Sequence, residues 1–237
     1  MENREKKEPL LKVENLTVSF SRYDRGWNKF DLEVIHSLDA EVFAGEVLAV
    51  VGSSGSGKSL LAHSILGILP GNARVSGCME YRGSELTPQR QKALRGEKIV
   101  FIPQSVDFLD PLMKVGKQVK GVRGTVEKMK RVFHRYRLNG EVEEMYPFQL
   151  SGGMARRALI AAALMESPDL IIADEPTPGL DPEMAVETMK TFRELADQGC
   201  GVLLITHDID LALQAFVPSL AASLGLFLPL IVVNCII

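Results

Sequence analysis

The chain has 237 residues, 46% of them apolar and 24% charged, and carries a formal net charge of −3. That balance suits one large globular domain, or a domain with an insertion. It excludes the collagenous and disordered classes and gives no global reason to expect nucleic acid as a partner. The three cysteines, Cys78, Cys200 and Cys235, are scattered and form no CxxC pair, which disfavours a disulfide framework and a structural zinc site and fits a reducing compartment.

In chain order, MENREKKEPL is charged and lacks the apolar core of a secretory leader, so residues 1–9 read as a solvated tail. LLKVENLTVSF alternates apolar residues at Leu11, Val13, Leu16, Val18 and Phe20, the pattern of a strand. DLEVIHSLDAEVFAGE reads as two short strands closed by a turn at Ala44-Gly45, and VLAVVG as a strand buried on both faces. KSLLAHSILGIL has helical spacing, with Leu61, Ile65 and Leu69 on one side. A β-ribbon over ARVSGCMEYRG and a buried strand over KIVFIPQ follow. Residues 105–150 break the rhythm with a basic, mainly helical insertion, after which DLIIADEP and GVLLITHD resume it as buried strands ending in polar residues.

Between the VLAVVG strand and the helix lies GSSGSGKS: Gly52, Ser53, Ser54, Gly55, Ser56, Gly57, Lys58 and Ser59. A glycine-rich loop joining a buried strand to a helix is the frame of a P-loop. Gly55 and Gly57 let successive N–H groups turn inward, and the helix N-terminus adds positive potential toward a phosphate. In that frame Lys58 reaches the β- and γ-phosphates and the Ser59 hydroxyl ligates Mg²⁺. LIIADEP brings Asp174 to a strand end, where it holds Mg²⁺ through water, and places Glu175 next to it as acceptor of a proton from the attacking water. Together these segments specify a nucleoside-triphosphatase without saying which.

LSGGMARRALIAAAL narrows the choice. Ser151, Gly152 and Gly153 cap a second helix N-terminus, a second phosphate-seeking feature that one triphosphate does not need. It therefore suits a nucleotide held by another subunit. With these motifs the chain resembles the ATP-binding subunits of ABC transporters, whose signature LSGGQ appears here with Met154 in fifth place, as in the peptide and nickel importer branch. The resemblance runs from about Leu11 to Gln214. It implies an α/β fold of P-loop NTPase type, ABC ATPase class, with an antiparallel β subdomain and an inserted helical subdomain. FIPQ resembles the Q-loop, implying that Gln104 contacts Mg²⁺ and the attacking water. PGLDP resembles the D-loop, implying that Asp181 contacts a second cassette. ITHD resembles the H-switch, implying that His207 holds the γ-phosphate. An aromatic residue of the first strand stacks on adenine in such proteins; Phe20 fits best by position, with Tyr23 in reserve.

The implied function is ATP binding and hydrolysis between two head-to-tail cassettes, identical or paralogous, powering uptake of peptides, nickel or a related small solute. The partners are transmembrane permease subunits and, indirectly, an extracytoplasmic substrate-binding protein, with no nucleic acid. The place is peripheral, on the cytoplasmic face of the plasma membrane. SLLAHSILGILP and DPLMKVGKQV are similar to the peptide and nickel branch, although the stretch between Gln104 and Ser151 is short for it. Lys114–Arg137 carries nine Lys or Arg and only Glu127 as acid, which suits a solvated helical face or a docking surface for a membrane subunit. Pro178 stands where the family usually has Thr or Ser. A non-transport ABC ATPase or a P-loop kinase is disfavoured by the single cassette and by the signature.

The resemblance stops near Ala215. Residues 215–237 form an apolar tail, and from Leu211 to Ile237 there is no Asp, Glu, Lys, Arg or His. The tail approaches the length of a membrane span, but Pro218 and Pro229 interrupt it and no basic flank orients it. A truncated or frame-shifted ending is preferred to an anchor. That leaves an incomplete cassette with impaired turnover as the alternative function.

Overall fold

The structure, a computed structural model, describes residues 8–23, 29–52 and 55–216. Two sheets form its centre. One is antiparallel, built from β1 (Leu11–Tyr23), β2 (Lys29–Val42), β4 (Ala73–Tyr81) and β5 (Ser84–Glu85) in the order β2-β1-β4-β5. The other is parallel, built from β3 (Val47–Val51), β6 (Ile99–Ile102), β7 (Leu170–Asp174) and β8 (Gly201–Thr206) in the order β3-β8-β7-β6.

The continuous apolar runs of the parallel sheet follow from its two covered faces. On β7, Leu170 and Ile172 face one apolar cluster while Ile171 and Ala173 face the other. On β8, Leu203 and Ile205 are divided in the same way from Val202 and Leu204. A period of two sends alternate side chains to opposite faces, so a strand buried on both must be apolar throughout. The first cluster fills the space toward β1 and toward α1 (Lys58–Leu66), through Leu11, Val13, Leu16, Val18, Leu61 and Ile65. The second joins the sheet to α5 (Gly152–Met165) and α6 (Pro182–Asp197). The remaining helices are α2 (Pro88–Leu94), α3 (Val115–Lys120), α4 (Val126–Arg135) and α7 (Ile209–Phe216).

Three local features depart from the sequence reading. The two short strands expected over residues 31–46 are one 14-residue strand, β2, paired with β1 along its length. Bulges between Val13 and Ser19 absorb the break in alternation, and side-chain hydrogen bonds hold them: Asn15 N–H to Asp39, Ser37 N–H to Thr17, and the Ser37 hydroxyl to Asn15. Helix α1 ends at Leu66, so Leu69 packs on the core from beyond the helix rather than along its face. The insertion is helical but broken: α3 and α4 are short, and single 3-10 turns cover Val106–Phe108, Gly140–Glu144 and Pro147–Gln149. Its buried residues Val119, Met129, Phe133 and Tyr136 join the α5–α6 cluster instead of forming a core of their own.

Of the nine basic residues of the insertion, four pair with carboxylates and a fifth bonds a carbonyl. Lys114 pairs with Glu144, Arg123 with Glu97, Arg135 with Glu187 and Glu194, and Arg137 with Glu183. The Lys128 ammonium caps α5 through the Met165 carbonyl at 2.7 Å.

Candidate nucleotide site

A parallel sheet gathers its C-terminal strand ends on one side, and the expected site residues arrive there. β3 leads into the glycine-rich loop, β7 ends at Asp174 with Glu175 next, β8 ends at Thr206 with His207 next, and β6 is followed by Pro103 and Gln104. Ser53 and Ser54 lie outside the described residues. Gly55 and Gly57 have φ of 84° and 82°, a region in which other residues are strained. At Gly57 a Cβ would also stand 3.1 Å from Val34 Cγ1, so β2 backs the loop closely. The Lys58 ammonium is buried and donates to the Gly52 carbonyl at 2.7 Å and toward Ser56 Oγ at 3.4 Å. It thus lies folded against the loop that it is expected to complete.

Asp174 is 2% exposed. Burial pushes its carboxyl above the usual carboxylate range; a hydrogen bond from Ser59 opposes this, Glu175 adds to it, and His63 and Lys58 oppose it. Its Oδ1 is a buried acceptor with no partner among the described residues. A divalent cation beside Ser59 would satisfy that oxygen, so the donor set fits Mg²⁺. Among the described residues no group of three His, Cys, Asp or Glu side chains could hold a metal alone.

Glu175 takes a left-handed backbone, φ 46°, with its N–H bonded to the Ile205 carbonyl at 2.9 Å. Its Oε2 lies 2.8 Å from His207 Nδ1; the carboxylate is 7% exposed and the imidazole 58%. An ionised carboxylate only accepts, so Nδ1 carries the hydrogen and Nε2 is the ring nitrogen left for another ligand. Val34, Gly55, Gly57, Lys58, Ser59, Leu60, Gln104 and Glu175 line a single cavity of about 320 Å³. Gln104, expected there, is exposed at its edge.

The signature residues lie elsewhere. Ser151 is the N-cap of α5, its hydroxyl accepting from Met154 N–H at 3.3 Å, and Ser151 and Gly152 are exposed. At Gly153 a Cβ would stand 2.8 Å from the Gly179 carbonyl, so the start of α5 rests on the loop preceding Asp181. Asp181 itself caps α6, accepting from Met184 N–H at 3.0 Å. Phe20 is half-buried against the apolar cluster, and Tyr23, at the end of β1, is 69% exposed; neither lines the cavity.

Sequence reasoning passed over two residues. Val34 packs on the loop from β2, and no residue-type signal marks it. Arg156 is 5% exposed within α5 and donates to the Pro103 carbonyl at 2.5 Å and to the Gln104 carbonyl. Its signal was legible: an arginine inside the apolar run ARRALIAAAL.

The sequence profile described as "ABC transporter" matches residues 35–178, more than half of the chain. The chain belongs to the ABC transporter family. The oligopeptide transport ATP-binding protein OppD of Escherichia coli (strain K12) is 35% identical over 216 residues, 84% of this chain and 63% of its own length. OppD of Lactococcus lactis subsp. cremoris is 35% identical over 219 residues, covering 85% of this chain and 63% of that protein. This ABC chain thus spans about 63% of the length of the curated relatives it matches. Among solved structures, the ATP-binding cassette MJ0796 in a dimeric post-hydrolysis state bound to ADP and Pi superposes with a TM-score of 0.73 at 25% identity, covering 85% of this chain and 90% of that one. The cassette fold follows.

A second profile, "Rnf-Nqr subunit, membrane protein", matches residues 201–237 of the same ABC chain. Its first part coincides with β8 and α7, where β8 is paired between β3 and β7 as a member of the cassette sheet. The rest falls on the apolar tail, which from residue 217 lies outside the described residues. No helix among the described residues is long and apolar enough to cross a membrane.

Proposed function

We propose that this chain binds Mg²⁺ and ATP at the cavity below Lys58 and hydrolyses the γ-phosphate as the ATPase subunit of an importer for peptides, nickel or a related small solute. The carrying observation is the buried Glu175 carboxylate, held 2.8 Å from His207 and lining one cavity with Lys58, Ser59 and Gln104. Lys58 exchanges its contacts with Gly52 and Ser56 for the β- and γ-phosphates, and the loop N–H groups hold the β-phosphate. Glu175 takes the proton of the attacking water, which Gln104 orients. His207, held by Glu175 through Nδ1, would donate from Nε2–H to the γ-phosphate with its ring doubly protonated. Ser59, Asp174 and Gln104 would hold Mg²⁺, which supplies positive charge against the phosphates.

Ser151, Gly152 and Gly153 lie outside their own chain's cavity and are accessible, which supports their action on ATP held by a second cassette, with Asp181 beside them. In this scheme permease subunits receive the motion of the closing pair, an extracytoplasmic binding protein supplies the solute, and the chain sits peripherally on the cytoplasmic face of the plasma membrane. The cassette spans residues 10–214, with the insertion at 105–150. Glu175→Gln is expected to keep ATP binding and to lose nearly all phosphate release, read by nucleotide binding and single-turnover assays. Normal hydrolysis in that variant overturns the role of Glu175. A parent chain that binds ATP but turns over no faster than Glu175→Gln identifies an incomplete cassette instead.

A further inference from the structure

The site as read above leaves Gln104 on a loop without regular structure, exposed, at the rim of the cavity. What holds that loop comes from another element. Arg156 lies one turn into α5, five residues after the Ser151 cap, and is 5% exposed. Its guanidinium spends two forked donors on successive carbonyls, those of Pro103 and Gln104, while Nε has no partner among the described residues. Burying a guanidinium costs several kcal/mol unless its hydrogen bonds are satisfied, so a charge this deep with an idle donor is poorly explained as packing alone. A planar fork that grips two adjacent carbonyls does what a point-charge ammonium or a single amide cannot: it fixes both the position and the orientation of the peptide between them. On the same helix the Ser151 cap is exposed.

We propose that Arg156 is a positioning residue for Gln104, clamping the loop after β6 to α5 so that Gln104 and the Ser151 end of the helix move as one body. Resting on the ATPase reading, the clamp gives each chain a mechanical link between the cavity it lines and the cap it presents to its partner. When Gln104 shifts, α5 shifts with it, and Arg156 is the joint.

The test uses the full chain and the variants Arg156→Lys, Arg156→Gln and Arg156→Met, followed by hydrogen–deuterium exchange without nucleotide. The reporting amides are Asp107, bonded to Ser105 Oγ at 3.1 Å, and Leu109, bonded to the Val106 carbonyl at 3.1 Å. Losing a charge-assisted pair of hydrogen bonds should speed exchange across residues 103–109 by about tenfold in Arg156→Gln and Arg156→Met, and less in Arg156→Lys, with β7 and β8 unchanged. Unchanged exchange in the loop, or a uniform rise in every peptide with a lower melting temperature, overturns the proposal. If Arg156→Met does not fold, Arg156→Lys, which keeps the charge without the fork, carries the comparison. In turnover, kcat should fall with KM for ATP unchanged, and Arg156→Gln should add little to Gln104→Ala, as expected of residues acting as one unit. Additive losses overturn it. Absence of turnover in the parent would defeat the ATPase reading, and the exchange result would still decide the clamp.

Discussion

At the scale of single residues, the adenine contact divides two aromatics. Phe20 is half-buried against core side chains, whereas Tyr23 projects from the end of β1 with most of its ring in solvent. Stacking of a base on an aromatic ring is worth about 1–3 kcal/mol by alanine substitution. Tyr23→Ala should therefore weaken binding of a fluorescent ATP analogue by about five- to a hundredfold, and Phe20→Leu by much less, if Tyr23 holds the base. The opposite order would assign it to Phe20. The site readings of Lys58, Ser59, Asp174 and Glu175 came from type and spacing, and that of His207 from the family resemblance. Residues whose work is geometric were passed over. Nothing in the alternation of β2 distinguishes Val34 from its neighbours; an arginine inside the apolar run of α5 marks Arg156 as unusual, but only the carbonyls around its guanidinium show what it does.

At the scale of elements, the strands of the parallel sheet were readable because burial on both faces forces an unbroken apolar run. The long β1–β2 pair was not, because bulges held by Asn15, Ser37 and Asp39 break the period of two on which strand reading depends. The start of α5 was read from its cap, Ser151; Thr87, Thr125 and Asp181 accept a backbone N–H of the helices they open in the same way. The contact between Gly153 and the Gly179 carbonyl joins two of these starts. Gly153→Ala would bring a methyl to 2.8 Å from that oxygen, so α5 or the loop at Gly179 must shift. The expected outcome is retained ATP binding by the isolated chain, with ATP-dependent dimerisation of a Glu175→Gln background lost, read by gel filtration.

At the scale of the whole molecule, the two sheets are tied by a polar clamp. The Tyr81 hydroxyl of β4 donates to Asp169, just before β7, at 2.7 Å, and Arg82 reaches the same carboxylate at 2.8 Å. Burial and the hydrogen bond to Asp169 push the Tyr81 phenol up to about 12. Between pH 10, where an unfolded tyrosine ionises, and about 12 the folded chain keeps a proton that the unfolded chain loses. Stability then falls as pH rises through that window. Tyr81→Phe should remove this part of the alkaline slope and lower stability at pH 7 by about 1 kcal/mol, measured by urea unfolding at a series of pH values. The tail belongs to this scale too. Because residues 217–237 contain no charged side chain, ending the chain at Phe216 should shift it from pellet to supernatant after expression alone. Resistance of the full chain to alkaline carbonate, with a monodisperse detergent extract, would mark membrane insertion rather than aggregation.

The left-handed backbone at Glu175 has a practical consequence for anyone who tries to improve this molecule. A non-glycine residue held there costs about 1–3 kcal/mol, and asparagine carries less of that strain. A library ranked only by heat resistance should therefore enrich Glu175→Asn, whose melting point is expected to be no lower than the parent's. In the proposed role of Glu175 its turnover would be gone. Selecting for durability alone would then breed inert chains, so such a campaign has to keep phosphate release as a second filter from the first round.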